Sequence, residues 1–459
     1  LATNSLSLLR GTSCNIDVFW FIIPSVLVGG TAKAQFTLKS RWIATGFMGE
    51  RSLLLLKMPN RSRESNNIMK SGRVLVLDAN QRSALAVTRS LGRSGVSVDT
   101  ADYTPTSLAG ESRFSQRYFK SPNVIEDPCE YLSWLSNILT ANDYDGVFPV
   151  TEVTSQLLLR HYEEPDKIGL PFPPINRVME LADKGQLMRK AADLNLPFPE
   201  TQWFDSSSDI DKSSLSYPLV IKPCLSKIFT GGCWISTRVK VIRSEKELMD
   251  ELAVSDYLNH HPFMLQEFIP GSGAGVFCLY NQGKAITFFA HNRIREKPPE
   301  GGVSVLSESV KVDPLMKSYA VKLLDSVGWH GVAMVEFRVS DDGTPYLMEV
   351  NTRFWGSLQL AVDSGVDFPL WLWQIGANGF NGNVPENYQI GRRLRWLLGD
   401  LDSLYLVLKG RFPVGVKLKR FLTFFLPQGL KCRHEVNRWG DMGPAWYELR
   451  QYVKQLLGR

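Results

Sequence analysis

The segment Tyr346-Leu-Met-Glu349-Val-Asn351-Thr-Arg353 constrains the fold more than any other part of the chain. In a strand, residues two apart share a side, so Glu349 and Asn351 project together and Arg353 follows them. A second apolar run, Gly331 to Val339, carries Glu336 near its middle. If the two runs are neighbouring strands, Glu336 joins Glu349 and Asn351, and three oxygen donors converge. Hard oxygen ligands without His or Cys suit Mg²⁺ or Mn²⁺, usually in company with phosphate oxygens. Arg353 suits a transferred phosphoryl group or a carboxylate. The bland alternative is a pair of edge carboxylates facing water.

The chain must therefore build a sheet that collects charge at one end, and the remaining pattern agrees. Its 459 residues allow roughly three domains. Arg73 to Ala79 (RVLVLDA) reads as a strand, Ser83 to Leu91 as a helix, and Val96 to Asp102 as a second strand, a βαβ opening. Gly146 to Val150 is a third strand, after which Thr151 can cap a helix. Gly169 to Pro174 (GLPFPP) is a stiff break that marks a domain boundary. Asn176 then caps a helical stretch, and Asp183 to Asn195 is a further helix stopped by Pro197. Leu219 to Lys222, Met264 to Ile269, Ala285 to Ala290, Gly331 to Val339 and Tyr346 to Val350 read as strands, with a helix over Leu315 to Val327 stopped by Gly328.

Two lysines sit where an anion is wanted. Lys184 lies at a helix start, and Lys222 ends an apolar strand, where an ammonium without an anionic partner is costly. A loop follows that contains Gly231 and Gly232, whose backbone N–H groups could fold over phosphates, although no GxxxxGK[ST] occurs in the chain. Further on, alternation puts His291, Arg293 and Arg295 on one side of an extended segment, a triple of donors suited to a carboxylate or phosphate; the competing reading is a solvated strand edge.

Lysine, lysine, glycine loop, Glu336 and then Glu349-x-Asn351-x-Arg353, in this order, resembles the ATP-grasp superfamily over most of residues 72–370. Asp183-Lys184, Tyr217 to Pro223 (YPLVIKP) and Glu349 to Ser357 (EVNTRFWGS) look like the first lysine, second lysine and metal strand of relatives of biotin carboxylase and carbamoyl-phosphate synthase. The resemblance implies an α/β (α+β) fold: a Rossmann-like pre-ATP-grasp domain over 69–174, a small lid subdomain over 175–262, a large metal-binding subdomain over 263–390 and a helical basic region over 391–459. It implies that Lys184 and Lys222 contact ATP phosphates, that Gly231 and Gly232 belong to a closing lid, and that Glu336, Glu349 and Asn351 bind Mg²⁺. Arg353 would stabilise an acyl phosphate. Leu265 to Ile269 looks like the hinge strand that reads adenine, with Gln266, Glu267, Phe268 and Ile269 against the nucleotide. The segment from His291 to Arg295 resembles the strand that carries substrate contacts in carboxylate–amine ligases. The implied activity is amide formation from a small carboxylate and an amine, with release of ADP. Two departures stand out: no acid follows the hinge in Gly271 to Val276 to hold a ribose, and no internal repeat supplies the second half that carbamoyl-phosphate synthase uses.

The net charge of +6 is an average over unlike parts. Residues 391–459 hold 14 Lys and Arg against 5 Asp and Glu, and residues 1–68 hold 8 against 3, so the middle is acidic at −8. An acidic body argues against a nucleic-acid partner. The basic C-terminal region reads either as helices packed on the body or as a weak contact with an anionic membrane surface. Six cysteines without a CxxC pair read as reduced cytoplasmic thiols, and the five other histidines (161, 260, 261, 330 and 434) as structural. Ile16 to Gly30 is apolar but too short to span a bilayer, and 1–68 is expected to be a poorly ordered or non-native extension, with a secretory leader as the lesser reading. A homodimer is left open. A nicotinamide-dependent oxidoreductase is disfavoured because LDANQRSALA lacks the glycines that admit a pyrophosphate, and a non-catalytic nucleotide-binding protein is the remaining competitor.

Overall fold

The computed structural model describes residues 72–299, 301–377, 379–429 and 431–458. The expectations for residues 1–68 lie outside them. Residues 69–453 form one compact unit; of the other, 1–68 with 454–459, only 454–458 at the end of a helix are described.

The first layer is a parallel sheet. Its elements are β1 (Arg73–Val76), α1 (Arg82–Arg93), β2 (Ser97–Asp102), β3 (Ser115–Lys120), α2 (Pro128–Ala141), β4 (Gly146–Phe148) and α3 (Glu152–His161). The strand order is β3-β2-β1-β4, all parallel. Val74 and Val76 enter one core while Leu75 and Leu77 enter the other, because successive side chains leave opposite faces and helices cover both. Thr151 caps α3 as expected, its hydroxyl accepting from the Thr154 N–H. The strand β3 and helix α2 went unread: SQRYFK is polar and half-exposed, which hides a strand from hydrophobic periodicity.

Next come α4 (Ile175–Ala182) and α5 (Lys184–Asp193). Asn176 lies inside α4, whose N-cap position is Pro174. The carboxylate of Asp183 caps α5 by accepting from the N–H groups of Gly185 and Gln186, which fixes Lys184 as the first helical residue.

The segment expected to form the lid contains β5 (Thr201–Phe204), β6 (Leu219–Pro223), β7 (Lys227–Thr230), β8 (Cys233–Ser236), β9 (Lys240–Ile242), α6 (Glu245–Val254) and β10 (Phe263–Glu267). Its antiparallel sheet runs β5-β10-β6-β9, and β7 pairs with β8 as a separate hairpin. Because β10 belongs to this sheet, the sheet continues to Glu267, past the boundary expected at 262. It has a small core of its own, built on Leu219, Ile221, Ile242, Leu248, Phe263 and Leu265.

The large sheet follows: β11 (Ser272–Asn281), β12 (Lys284–Lys297), β13 (Val303–Val310), α7 (Pro314–Ser326), β14 (Gly331–Val339), β15 (Pro345–Asn351), α8 (Leu358–Ser364), α9 (Phe368–Gly376), β16 (Arg393–Arg395), α10 (Leu397–Lys409), α11 (Val414–Phe425), β17 (Cys432–His434) and α12 (Gly443–Leu456). Seven strands pair in the order β15-β14-β11-β12-β13-β16-β17. Between β14 and β12, β11 is buried on both faces from Val276 to Tyr280. Val276, Cys278 and Tyr280 join the core that holds Leu75, and Phe277 and Leu279 join the one that holds Val74, so both cores run from the parallel sheet into this one. The boundary drawn at 390 cuts this sheet. Residues 391–459 contribute β16 and β17 as well as three helices, because Arg393 to Arg395 zip onto β13.

Candidate functional site

The expected juxtaposition of strands is present. On the β14–β15 pair Glu336 lies directly opposite Glu349, and Met334 opposite Asn351. The Asn351 amide nitrogen donates to Glu336 Oε1 at 2.8 Å and reaches Glu349 Oε1 at 3.4 Å. Two carboxylates side by side in a half-buried place repel each other. Burial and then the charge of Glu349 raise the pKa of Glu336, partly offset by Arg293, whose Nη2 lies 2.6 Å from Glu336 Oε2. Burial also pushes Glu349 upward, but Lys184, Lys222 and Arg353 together hold its carboxyl below the ordinary value.

Both lysines reach this point from the other side. Lys184, buried at the start of α5, stands 3.6 Å from Glu349 Oε2 and donates to Ser226 Oγ at 2.8 Å; its backbone N–H donates to the Cys224 carbonyl just past β6. Lys222 is buried, and among the described residues its one hydrogen-bond acceptor is the Met348 sulfur, at 3.6 Å. Burial lowers its pKa to about 8, with Glu349 opposing and Lys184 adding to the shift. An ammonium held this way gains from an anion brought beside it.

Gly231 and Gly232 form the two-residue turn of the β7–β8 hairpin, with φ of +56° and +78° and open space around both. Two positive φ values in succession suit a tight hairpin turn and glycine. The stretch read as a loop is therefore a hairpin reaching from the lid beside Ser226 and Lys227. Gln266 and Glu267 close β10, where the lid meets the large sheet. Gln266 is buried and donates to Thr201 Oγ1 at 2.8 Å, with its amide oxygen unpartnered, while the Glu267 side chain is exposed. Phe268 and Ile269 lie just beyond the strand, Phe268 half-buried and Ile269 buried.

The substrate triple divides. His291 and Arg293 line a cavity of about 350 Å³ together with Glu336, Glu349, Asn351 and Arg353. His291 accepts from or donates to Ser357 Oγ at 2.8 Å and stacks on Phe277; burial, and then Arg293, lower its pKa to about 3, so the ring is neutral. Arg295 is elsewhere. The β12–β13 register shifts between Arg293 and Arg295, and this bulge breaks the alternation that would have kept the two on one side. Arg295 binds Asp400 Oδ2 at 2.9 Å and the Thr423 carbonyl at 3.0 Å.

A second cavity, of about 700 Å³, opens at the carboxyl ends of β1 and β4, where the strand order of the parallel sheet reverses, a usual place for a ligand in such sheets. Lys184, Lys227, Glu349, Asn351 and Arg353 form one wall and Asp78, Asn80, Arg82, Asp102 and Glu152 another. Glu349, Asn351 and Arg353 line both cavities. The Arg353 Nη1 donates to the Phe354 carbonyl at 2.9 Å. The residues of the β1 and β4 loops were missed in the sequence, because LDANQRS lacks a recognisable glycine pattern. The one available signal was Gly356: a Cβ there would fall 3.0 Å from Arg82 Nη2, so this glycine, five residues past β15, makes room for an arginine of the first domain.

The donor set fits a hard cation. Glu336 and Glu349 present opposed carboxylates, and rotation of the Asn351 amide exchanges its nitrogen for an oxygen. Among the described residues no group of three or more His, Cys, Asp and Glu is placed to hold a metal ion, and this set has two carboxylates and an amide.

Comparison with known proteins agrees with this architecture. Residues 259–396 match a family model described as ATP-grasp in the biosynthetic pathway with Ter operon. The structure is similar to an L-amino acid ligase from Bacillus licheniformis (18% identity, TM-score 0.53, covering 70% of this chain and 78% of that one). It is also similar to a biotin carboxylase–β-γ-ATP complex from Campylobacter jejuni (16% identity, TM-score 0.56, covering 72% and 75%). A third is the biotin carboxylase domain of the Hydrogenobacter thermophilus 2-oxoglutarate carboxylase, with MgADP, ADP and bicarbonate (15% identity, TM-score 0.55, covering 71% and 74%). No curated protein sequence matches the chain. The chain has the ATP-grasp fold. Within that fold its matched segment runs from β10 through β15 to β16.

Proposed function

We propose that this protein is an ATP-dependent carboxylate–amine ligase that forms an amide through an acyl phosphate and releases ADP and phosphate. The observation that carries the reading is the meeting of Lys184, Lys222, Glu336, Glu349, Asn351 and Arg353 where the lid faces the wall shared by two cavities. One side of that wall has room for a nucleotide and the other for a second substrate.

A carboxylate oxygen of the substrate attacks the γ-phosphorus of ATP, and the bond from that phosphorus to the β–γ bridging oxygen breaks, leaving ADP. The amine nitrogen then attacks the acyl carbon, the bond to the phosphate oxygen breaks, and the nitrogen loses a proton. Such phosphoryl transfer needs positioning and charge neutralisation rather than a protein nucleophile. Lys184 and Lys222 hold phosphate oxygens, and Lys222 takes full charge as it does so. Arg353, standing between the cavities, holds the acyl phosphate in place for the amine. Gln266 to Ile269 border the adenine, and the β7–β8 hairpin with Gly231 and Gly232 covers the phosphates against water. His291, as a neutral ring, and Arg293 orient the substrate carboxylate. Mg²⁺ or Mn²⁺, held by Glu336, Glu349 and Asn351, would neutralise phosphate charge.

A screen of amino acids, short peptides and dicarboxylates for ADP release, with hydroxylamine to trap the acyl phosphate, tests the reading. Substrate-dependent ADP release with a hydroxamate product is the expected result. ATP binding with no ADP release from any carboxylate would instead support a non-catalytic nucleotide-binding protein.

A further inference from the structure

The helix α11 is mounted with its apolar side outward. At 100° per residue, Val414, Leu418, Phe421, Leu422 and Phe425 fall within about 100° of arc. All five are exposed, from 44% at Phe421 to 81% at Val414. A helix that packs by hydrophobic burial would turn this stripe inward. Polar clamps hold the opposite side instead. Arg420 pairs with the fully buried Asp400, the Thr423 carbonyl accepts from Arg295, and the Phe424 carbonyl accepts from Arg395 at 2.9 Å. The helix is thus fixed in place before anything covers its apolar stripe.

The edges of the stripe identify what covers it. Lys417 borders it on one long side and Lys419 on the other, and residues 391–459 carry nine more basic than acidic residues. A second copy of the chain would set two basic rims against each other. The stripe also lies on a convex helix rather than in a groove, which suits a deformable partner. We propose that α11 lies in the plane of an anionic lipid surface, with Leu418, Phe421, Leu422 and Phe425 among the acyl chains and the two lysines extended to the phosphates. No described helix is long and apolar enough to cross a membrane, which fits a contact in the plane. This inference is independent of the reaction proposed above.

Flotation of the full-length protein with vesicles tests it. Phosphatidylcholine vesicles containing about 30% phosphatidylserine should carry the protein, and pure phosphatidylcholine vesicles on the order of tenfold less. Leu418→Glu with Phe425→Glu should abolish flotation, and Lys417→Gln with Lys419→Gln should lower it on the order of tenfold on the anionic vesicles. Both pairs should leave the thermal melt unchanged, since the apolar pair is exposed and the lysine pair lies at the stripe's edges. Two outcomes overturn the proposal. One is wild-type protein that stays with the aqueous phase, as it would if the chain's own apolar segment 16–30 covered the stripe. The other is a wild-type dimer, seen by sedimentation, that the glutamate pair dissociates.

Discussion

The two flanks of the large sheet each concentrate ionic groups, and they treat charge in opposite ways. Toward the β13–β16 side, Asp400 is fully buried and receives Arg295 at 2.9 Å, Arg395 at 2.7 Å and Arg420. Its guanidiniums also donate to the carbonyls of Thr423 and Phe424. That cluster is nearly closed, its one buried unpartnered atom being Arg420 Nη1. At the β14–β15 edge, Glu336 and Glu349 oppose each other, Lys222 has a thioether as its one hydrogen-bond acceptor among the described residues, and two cavities open onto the carboxylates. The first arrangement joins segments of the chain; the second leaves a buried ammonium with no carboxylate in salt-bridge range among the described residues. A buried ion pair alone therefore says little about function, whereas a buried ion without its counter-ion says a good deal.

The widest separation between the flanks should come from Lys222→Met. Loss of the ammonium should lower ADP release by on the order of a thousandfold. Thermal unfolding of the same variant should move upward, because the fold disfavours this lysine's charge and methionine does not carry one. A melt lowered by several degrees would show that the lysine is structural. At the other flank, Asp400→Asn should cost about 3–5 kcal/mol in urea denaturation, since three guanidiniums lose their shared counter-ion. Turnover per folded molecule should stay at the wild-type level, and a selective loss of turnover would break the contrast.

Smaller effects sharpen it. Glu336→Gln should weaken Mg²⁺ or Mn²⁺ binding on the order of tenfold, because one ligand charge is removed. Its stability should stay within about 1 kcal/mol of wild type, as the raised pKa of Glu336 already marks its charge as disfavoured. Calorimetry in buffers of different ionisation enthalpy would read a fourth effect. With a pKa near 8 against the ordinary 10.5, Lys222 is largely protonated at pH 6.5 and partly neutral at pH 8.5. A phosphate restores the charge, so ATP binding should take up a fraction of a proton at pH 8.5, almost none at pH 6.5, and none in Lys222→Met. For the same reason Lys222 contributes a rise in stability as pH climbs through 8 toward 10.5, where the unfolded lysine also loses its proton.

The sequence was most informative where one residue's chemistry contradicts its surroundings. Lys222 at the end of LVIK and Glu349 with Asn351 at the end of YLMEVN could be placed because a charge terminating an apolar strand needs a reason, and the strands and their pairing are as expected. The segment GAGVFCLYN was not read as a strand, although it lies inside the large sheet between β14 and β12, because its glycines resemble a turn. Arg295 could not be separated from Arg293, since a bulge is set by neighbouring strands and leaves no mark in alternation. The cavity loops of the first domain were silent for another reason. Asn80 in a loop, and Arg82 and Glu152 at the starts of α1 and α3, are ordinary polar residues until the fold places them in one cavity with Glu349, Asn351 and Arg353.

Arg89 ties α1 to a segment about 350 residues further along the chain. It is fully buried in α1, and its guanidinium donates to Asp441 Oδ2 and to the carbonyls of Glu435 and Val436. On a ribosome, about 350 residues must still be made after Arg89 before those acceptors exist. At ordinary elongation rates that delay is on the order of tens of seconds. During it the Arg89 guanidinium lacks the acceptors that satisfy it in the folded protein, and an unsatisfied buried charge is costly. A nascent chain stalled before residue 435 is therefore expected to hold α1 less stably than the complete unit does.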